Sequence, residues 1–336
     1  MQLDDYLSPS DPISRAELDI RRNYSEPEPL LAISDIPILT RGNISAIVGL
    51  PKSRKTFFAS LLTAAYFVGE IENFMAPKSG IVLWIDTEQA PHDCARVYKR
   101  INLMRGNNST SVQRDLIMLM FREYDAKTRF TLTFQAIERF KPDLIVIDGI
   151  ADLIQLNNDE GSAVILQDTL LNKSKIFNCH IMSIIHSNEG TEKARGHTGA
   201  NLTRKCETIM TLTALEDKTK VTFKTRNKEP KPIAFSIDMN ALPYLCDAPE
   251  TRTIDYIKMY KQIMKPRETV TFTELVNRIA QYREAAGCPV SDRYTKQMIA
   301  EHIKKGIIFK SAVGYQIFKP TVKKEEKRYE EKSENS

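Results

Sequence analysis

The octapeptide Gly49, Leu50, Pro51, Lys52, Ser53, Arg54, Lys55 and Thr56 constrains the fold more than any other stretch, because of what flanks it. Before it runs NISAIVGL, Asn43 to Leu50, short, apolar and rich in β-branched residues, which reads as a buried strand. After it, TFFASLLTAAYFVG carries apolar residues at helical spacing and stops at Gly69. Strand, glycine-started loop and helix together form an anion site, since the helix N-terminus offers free N–H groups and the positive end of its dipole. A phosphate-binding loop reads G-x-x-x-x-G-K-[ST], its Lys reaching the terminal phosphates and its hydroxyl holding Mg²⁺. Gly49, Lys55 and Thr56 fall in register with that pattern, and Arg54 stands where its second glycine would. If the backbone there needs a positive φ, a side chain costs roughly 1–2 kcal/mol, which a folded domain tolerates.

Three further apolar runs read as central strands: Gly80 to Asp86, Asp143 to Asp148, and His180 to His186. Their hydrophobicity is continuous, as expected where helices cover both faces of a parallel sheet. Helical segments around Cys94–Met104, Phe130–Phe140 and Ser162–Phe177 separate them. The alternation predicts an α/β fold, doubly wound around a mostly parallel sheet. TIMTLTAL, KVTFKTRN and IAFSID then read as antiparallel strands that extend it. Residues 1–30 are rich in Pro and acidic residues and are expected to form an extended arm, followed by a short apolar lead-in at Pro37 to Leu39.

With 336 residues the chain can hold one large and one small domain. No apolar run approaches the roughly 18–20 residues of a membrane span, and the acidic, polar start argues against a secretory signal. Five scattered cysteines without a CxxC pair suit reduced thiols in a cytoplasm, not a disulfide or zinc framework. The net charge of +5 is unevenly spread, with 13 Lys and Arg against 6 Asp and Glu between Thr251 and Lys319. A basic C-terminal module on a near-neutral body points to a polyanion partner or to a solvated basic surface.

Phosphate-bond hydrolysis needs a phosphate cradle, a metal-holding carboxylate, a group that orients water, and positive charge against the transition state. Candidates for these roles end predicted strands, the edge at which open α/β sheets bind ligands. Asp148, closing LIVID, suits a Mg²⁺ ligand beside Thr56, or else caps the next helix. Glu88 suits the base, with Asp86 and Thr87 as competitors. His186 suits a γ-phosphate sensor or a structural histidine.

The order GLPKSRKT, IDTEQ, LIVID, SIIHSNEG and FKTRN resembles the RecA-like P-loop ATPases over roughly residues 30–240. The nearest branch holds the RepA-like and DnaB-like hexameric helicases and the RadA recombination ATPases. The resemblance implies ATP and Mg²⁺ as cofactors, with Glu88 as catalytic base and His186 as reporter of the γ-phosphate. It implies that Lys224 and Arg226 reach a neighbouring subunit's site in a homo-oligomer, as in a hexameric ring. It implies that Ser187 to Lys205 lines a pore, where Lys193 and Arg195 would touch single-stranded DNA. The helix APHDCARVYKRI also resembles the arginine-bearing helix that follows the base in the RepA-like branch. The function implied is a replicative helicase of a plasmid or other mobile element. A DNA-binding regulator or initiator switched by ATP, and a recombination or loading factor, are the rivals.

Beyond about Pro249 the character changes. TFTELVNRIAQYREAAG reads as a helix opening on Thr273, and SDRYTKQMIAEHIKKG as a second, capped by Ser291 and ended by Gly306. IIFKSAVGYQIF alternates around Gly314 like a hairpin. Helix, helix and hairpin is the order of a winged helix, whose second helix enters the major groove of duplex DNA. Arg293, Lys296, Lys304 and Lys305 would face it, with Lys310 on the wing. Many such modules bind protein instead. The tail from Pro320 is charge-dense, apolar-poor and expected to be disordered.

Overall fold

The computed structural model describes residues 16–155, 160–188, 196–226, 228–247, 255–266, 268–286 and 292–317; of residues 197, 198 and 293 it describes the backbone alone. Apart from Asn188, which groups with the second, these residues form two compact units, one up to Asp247 and one beyond it.

The first unit opens with a hairpin, β1 (Pro29–Ile33) and β2 (Ile36–Thr40), in a region expected to be extended. After β3 (Ile44–Gly49) and α1 (Lys55–Val68), β4 (Glu70–Ile71) and β5 (Phe74–Met75) join that hairpin in a four-stranded sheet of order β2-β1-β5-β4. Then follow β6 (Val82–Asp86), α2 (Pro91–Met104), β7 (Leu116–Met120), α3 (Ala126–Phe140), β8 (Leu144–Asp148), α4 (Glu160–Ile176), β9 (His180–His186) and α5 (Gly196–Lys205). The unit ends with β10 (Thr208–Ala214), β11 (Lys218–Thr225), β12 (Ile233–Ile237) and β13 (Pro243–Cys246).

The main sheet has nine strands in the order β13-β12-β11-β10-β3-β9-β8-β6-β7. The six from β10 to β7 are parallel, and β11, β12 and β13 continue antiparallel. This is the mixed α/β core, with a mostly parallel sheet, that the four apolar runs predict. β7 was not among those runs.

Alternate residues of each central strand enter opposite cores. Ile47, Trp84 and Val146 pack with Phe58, Leu62 and Ile101 of α1 and α2. Val48, Ile85 and Ile147 pack on the other face with Ile137, Leu166 and Leu202 of α3, α4 and α5. Burying each such side chain stabilises by roughly 1.5–3 kcal/mol, so both faces must be apolar and the strands lose their alternation. The register then sets the site. Gly49 lies opposite His186 on one side and Leu212 on the other, and Asp86 lies opposite Asp148.

The second unit holds α6 (Tyr256–Ile263), α7 (Phe272–Ala285), α8 (Asp292–Lys304) and the hairpin β14 (Phe309–Ser311) and β15 (Gly314–Gln316). Tyr315 exchanges backbone hydrogen bonds with Val270, so the hairpin returns to the strand-like residue ahead of α7. Its own core includes Tyr260, Leu275, Ile279, Ile299 and Ile308. The cap of α7 is Thr271, two residues before the expected Thr273, because Thr271 Oγ1 accepts from the Glu274 N–H. Ser291 and the tail from Pro320 lie outside the described residues.

Candidate active site

The loop from Gly49 to Arg54 joins β3 to α1 with backbone rarely seen outside glycine. Lys52 has φ 65° and Arg54 has φ 64°, both left-handed. Arg54 therefore takes the conformation that a second glycine would supply, and it leads directly into the first turn of α1. Its guanidinium donates to Thr219 Oγ1 at 3.1 Å and to the Glu216 carbonyl at 3.3 Å, which ties the loop to the β10–β11 hairpin. Gly49 cannot carry a side chain, since a Cβ would stand 2.5 Å from Ser53 Oγ and 2.8 Å from the Leu212 carbonyl. Ser53 is itself buried, and its hydroxyl finds no hydrogen-bond partner among the described residues.

Lys55, the first residue of α1, is 6% exposed. Its ammonium donates to the carbonyls of Gly49 (3.0 Å) and Leu50 (2.8 Å) and to His186 Nδ1 (3.1 Å). Burial draws Lys55 below the ordinary lysine range, while the Asp148 and Glu88 charges oppose that shift. Because the ammonium can only donate, His186 accepts at Nδ1, and its proton sits on Nε2, 3.5 Å from Glu88 Oε1. The hydrogen bond from His186 is the chief reason why Glu88 lies below its usual value. Lys55, His186 and Glu88 thus form one chain across the mouth of the sheet.

Thr56 Oγ1 donates to Asp148 Oδ2 at 2.8 Å. Asp148 is buried, and desolvation, reinforced by the Asp86 charge, pushes its carboxyl up to about 7. One hydroxyl and one carboxylate on hard oxygens suit Mg²⁺, which keeps most of its shell as water and phosphate oxygen. Among the described residues no group of three or more His, Cys, Asp and Glu could hold a metal by itself. The donor set thus fits an ion that arrives with a nucleotide.

The two competitors of Glu88 have other partners. Asp86 Oδ1 accepts from the N–H groups of Glu88 (3.1 Å) and Gln89 (2.7 Å), which turns the chain after β6. Thr87 is buried and its hydroxyl contacts the carbonyls of Asp148 and Gly149 and Asp152 Oδ2. Gly149 has φ 93°, and a Cβ there would collide with Thr87 and Glu88. Glu88 is left facing the cleft.

That cleft encloses about 600 Å³ and is lined by Lys52, Arg54, Lys55, Thr56, Glu88, Asp148 and His186. Arg96 and Arg100 of α2 also line it. Arg100 is held by the Ala241 carbonyl (3.1 Å) and Ser60 Oγ (3.3 Å) and stacks 3.7 Å above the Phe57 ring. Gln89, the last residue of IDTEQ, lines it too, although the sequence assigns it no role.

The chain matches the AAA domain family over residues 9–192. It belongs to that family. A search of curated proteins found no match. The matched span contains the loop, Glu88, Asp148 and His186, and the family supports a RecA-like P-loop ATPase fold, with the cleft lying at the carboxyl edge of its sheet.

The remaining expected residues are elsewhere. Lys224 pairs with Ile209, three residues along β10 from Leu212, the partner of Gly49. At 3.3 Å per residue, this puts Lys224 about 10 Å toward the opposite edge of the sheet from its own loop. Arg226 follows β11 there and donates to the Lys205 carbonyl at 2.9 Å. Ser187 to Lys205 is not wholly a loop, since its second half is α5; Lys193 and Arg195 lie outside the described residues. In the second unit Lys296, Lys304, Lys305 and Lys310 are exposed, Lys305 with Glu301 at 2.6 Å. Arg293 lies within α8. Among the described residues no helix is long and apolar enough to cross a membrane.

Proposed function

We propose that the protein is an Mg²⁺-dependent, oligomeric ATPase that works as a RecA-type motor on DNA, a replicative helicase of a plasmid or other mobile element. The observation that carries this reading is the chain Lys55, His186, Glu88 beside the Thr56–Asp148 pair, all at one edge of one sheet. The N–H groups of the Gly49–Thr56 loop and the α1 N-terminus would receive the phosphates. Lys55 donates to the Gly49 and Leu50 carbonyls and to His186, so a bound phosphate would compete with these acceptors for the ammonium. Glu88 then orients water against the γ-phosphorus and accepts its proton as the bond to ADP breaks. Thr56 and Asp148 would hold Mg²⁺, which supplies charge neutralisation on the phosphate oxygens. Lys224 and Arg226 face away from their own cleft, which suits a contribution to a neighbouring copy's site. The basic second unit supports contact with DNA phosphates.

The test is ATP hydrolysis by the protein and by Lys55→Ala, with and without single-stranded DNA. Turnover that depends on Lys55 and rises with DNA is the expected result, and strand separation is then assayed. ATP binding without turnover would favour the regulator reading, in which Arg54 holds the loop as a switch. A Lys55→Ala protein that binds and hydrolyses normally would end the phosphate-loop assignment.

A further inference from the structure

Gln89 stands between the two buried carboxylates of the site. Its Nε2 donates to Asp86 Oδ2 at 2.7 Å and lies 3.3 Å from Asp148 Oδ2, the same oxygen that receives the Thr56 hydroxyl. Asp86 is 1% exposed and Asp148 is 5% exposed. Two such carboxylates on adjacent strands repel each other in a medium that screens charge poorly, and each needs a donor. The other oxygen of Asp86 is occupied by the backbone of Glu88 and Gln89. A primary amide has two N–H donors, so one nitrogen can serve both carboxylates. Gln89 thereby does with two dipoles what a cation beside Thr56 and Asp148 would do with charge.

We propose that Gln89 is a positioning residue whose amide occupies the place beside Asp148 Oδ2 that a cation would take, and would yield it to the metal. It holds the Asp86–Asp148 pair in place without metal and competes with the ion for Asp148 Oδ2, which sets how strongly nucleotide binding depends on Mg²⁺. The inference rests on the ATPase reading above. Gln89 follows the proposed base by one residue and precedes α2, so its release from Asp148 also couples metal arrival to the turn that carries Glu88.

The experiment measures the affinity of the full chain for a fluorescent ATP analogue in excess EDTA and in saturating Mg²⁺. It compares the wild type with Gln89→Met, which keeps the volume and loses the donors, and with Gln89→Glu, which adds a third carboxylate. Without the amide the unshielded pair repels metal-free phosphate and attracts the ion. The ratio of the two dissociation constants should rise about tenfold in Gln89→Met, the size of a hydrogen bond to a charged group, and further in Gln89→Glu. The Mg²⁺ concentration at half-maximal binding should fall in both. A ratio that stays constant, falls, or reflects an equal loss in both conditions overturns the proposal. A wild type that binds no nucleotide in either condition removes the ATPase reading and this inference with it, an outcome visible before any variant is made.

Discussion

Arg54 shows how one residue can break a sequence pattern and keep its geometry. The phosphate-loop pattern asks for glycine because of a backbone angle, and Arg54 adopts that angle at φ 64°. Its bonds to Thr219 and Glu216 offset part of the strain. Alanine at this position would keep the strain and lose the bonds, whereas glycine would lose both. Arg54→Gly is therefore expected to be more stable than Arg54→Ala by about 1 kcal/mol in urea unfolding, with the wild type between the two. Equal stabilities would mean that the loop relaxes out of the left-handed region. A second residue-scale test lies at the other end of the sheet. Glu207 accepts from the Thr40 N–H and hydroxyl, both at 2.7 Å, and burial pushes it up to about 7. Beside it, burial takes His180 down to about 4. A raised carboxyl favours the protonated form, so the contribution of Glu207 is complete below its ordinary value of 4.5 and is lost as pH climbs through 7. The depressed histidine acts oppositely, losing stability as pH falls from 6.5 toward 4. The two nearly cancel between 4.5 and 6.5. Glu207→Gln removes the first limb, so its gain over wild type should grow from pH 4.5 to 7 and level off at about 3 kcal/mol, the scale set by a rise from 4.5 to about 7. Thermal melts across pH would show a constant difference if Glu207 titrated normally.

At the scale of elements, what the sequence made legible follows from burial. β3, β6, β8 and β9 are covered on both faces and announce themselves as unbroken apolar runs. β7 is the edge strand, LIMLM, only partly buried and without β-branching beyond one Ile, so nothing separates it from a stretch of helix. The β1–β2 hairpin hid behind Pro29 and Pro37, and its apolar residues become a core only once Phe58 and Phe74 are packed against them. The site was readable for the same topological reason: Gly49, Asp148 and His186 end strands, and Glu88 lies two residues beyond one. Gln89, by contrast, matters only through distances between side chains that no spacing encodes. The same strand geometry bears on Lys224 and Arg226. They sit at the end of β11 away from their own loop, so any catalytic role must be played in a neighbour's cleft. A Lys224→Ala, Arg226→Ala protein should lose turnover by about 10³ while still binding ATP. Mixed with Lys55→Ala protein, which is also inactive alone, it should recover measurable hydrolysis, since some mixed interfaces pair an intact loop with intact cations. No recovery from a mixture that does co-assemble would return the two cations to an ordinary surface role.

For the whole molecule, the question is what a near-neutral ATPase body gains from a basic second unit with its own core. Lys296, Lys304 and Lys310 are exposed on α8 and the hairpin. Exposed lysines that touch phosphate act as point charges and each releases about one counterion, so duplex binding by the full chain should weaken steeply and linearly in the logarithm of salt. Lys296→Ala and Lys304→Ala should each lower that slope by about 1 and weaken all duplex sequences alike. Lys305, just past the end of α8, pairs with Glu301 at 2.6 Å, and its removal should change the slope least, because its charge is already partly answered. The ordering distinguishes a DNA-facing helix from a merely basic one, since a solvated surface would respond to the total charge removed and treat the three lysines as equivalent. If duplex affinity proves insensitive to salt while single-stranded DNA still stimulates hydrolysis, the DNA contact lies in the first unit. The second would then recruit a protein, and its charge would serve to steer an acidic partner toward the helix face that carries Lys296 and Lys304.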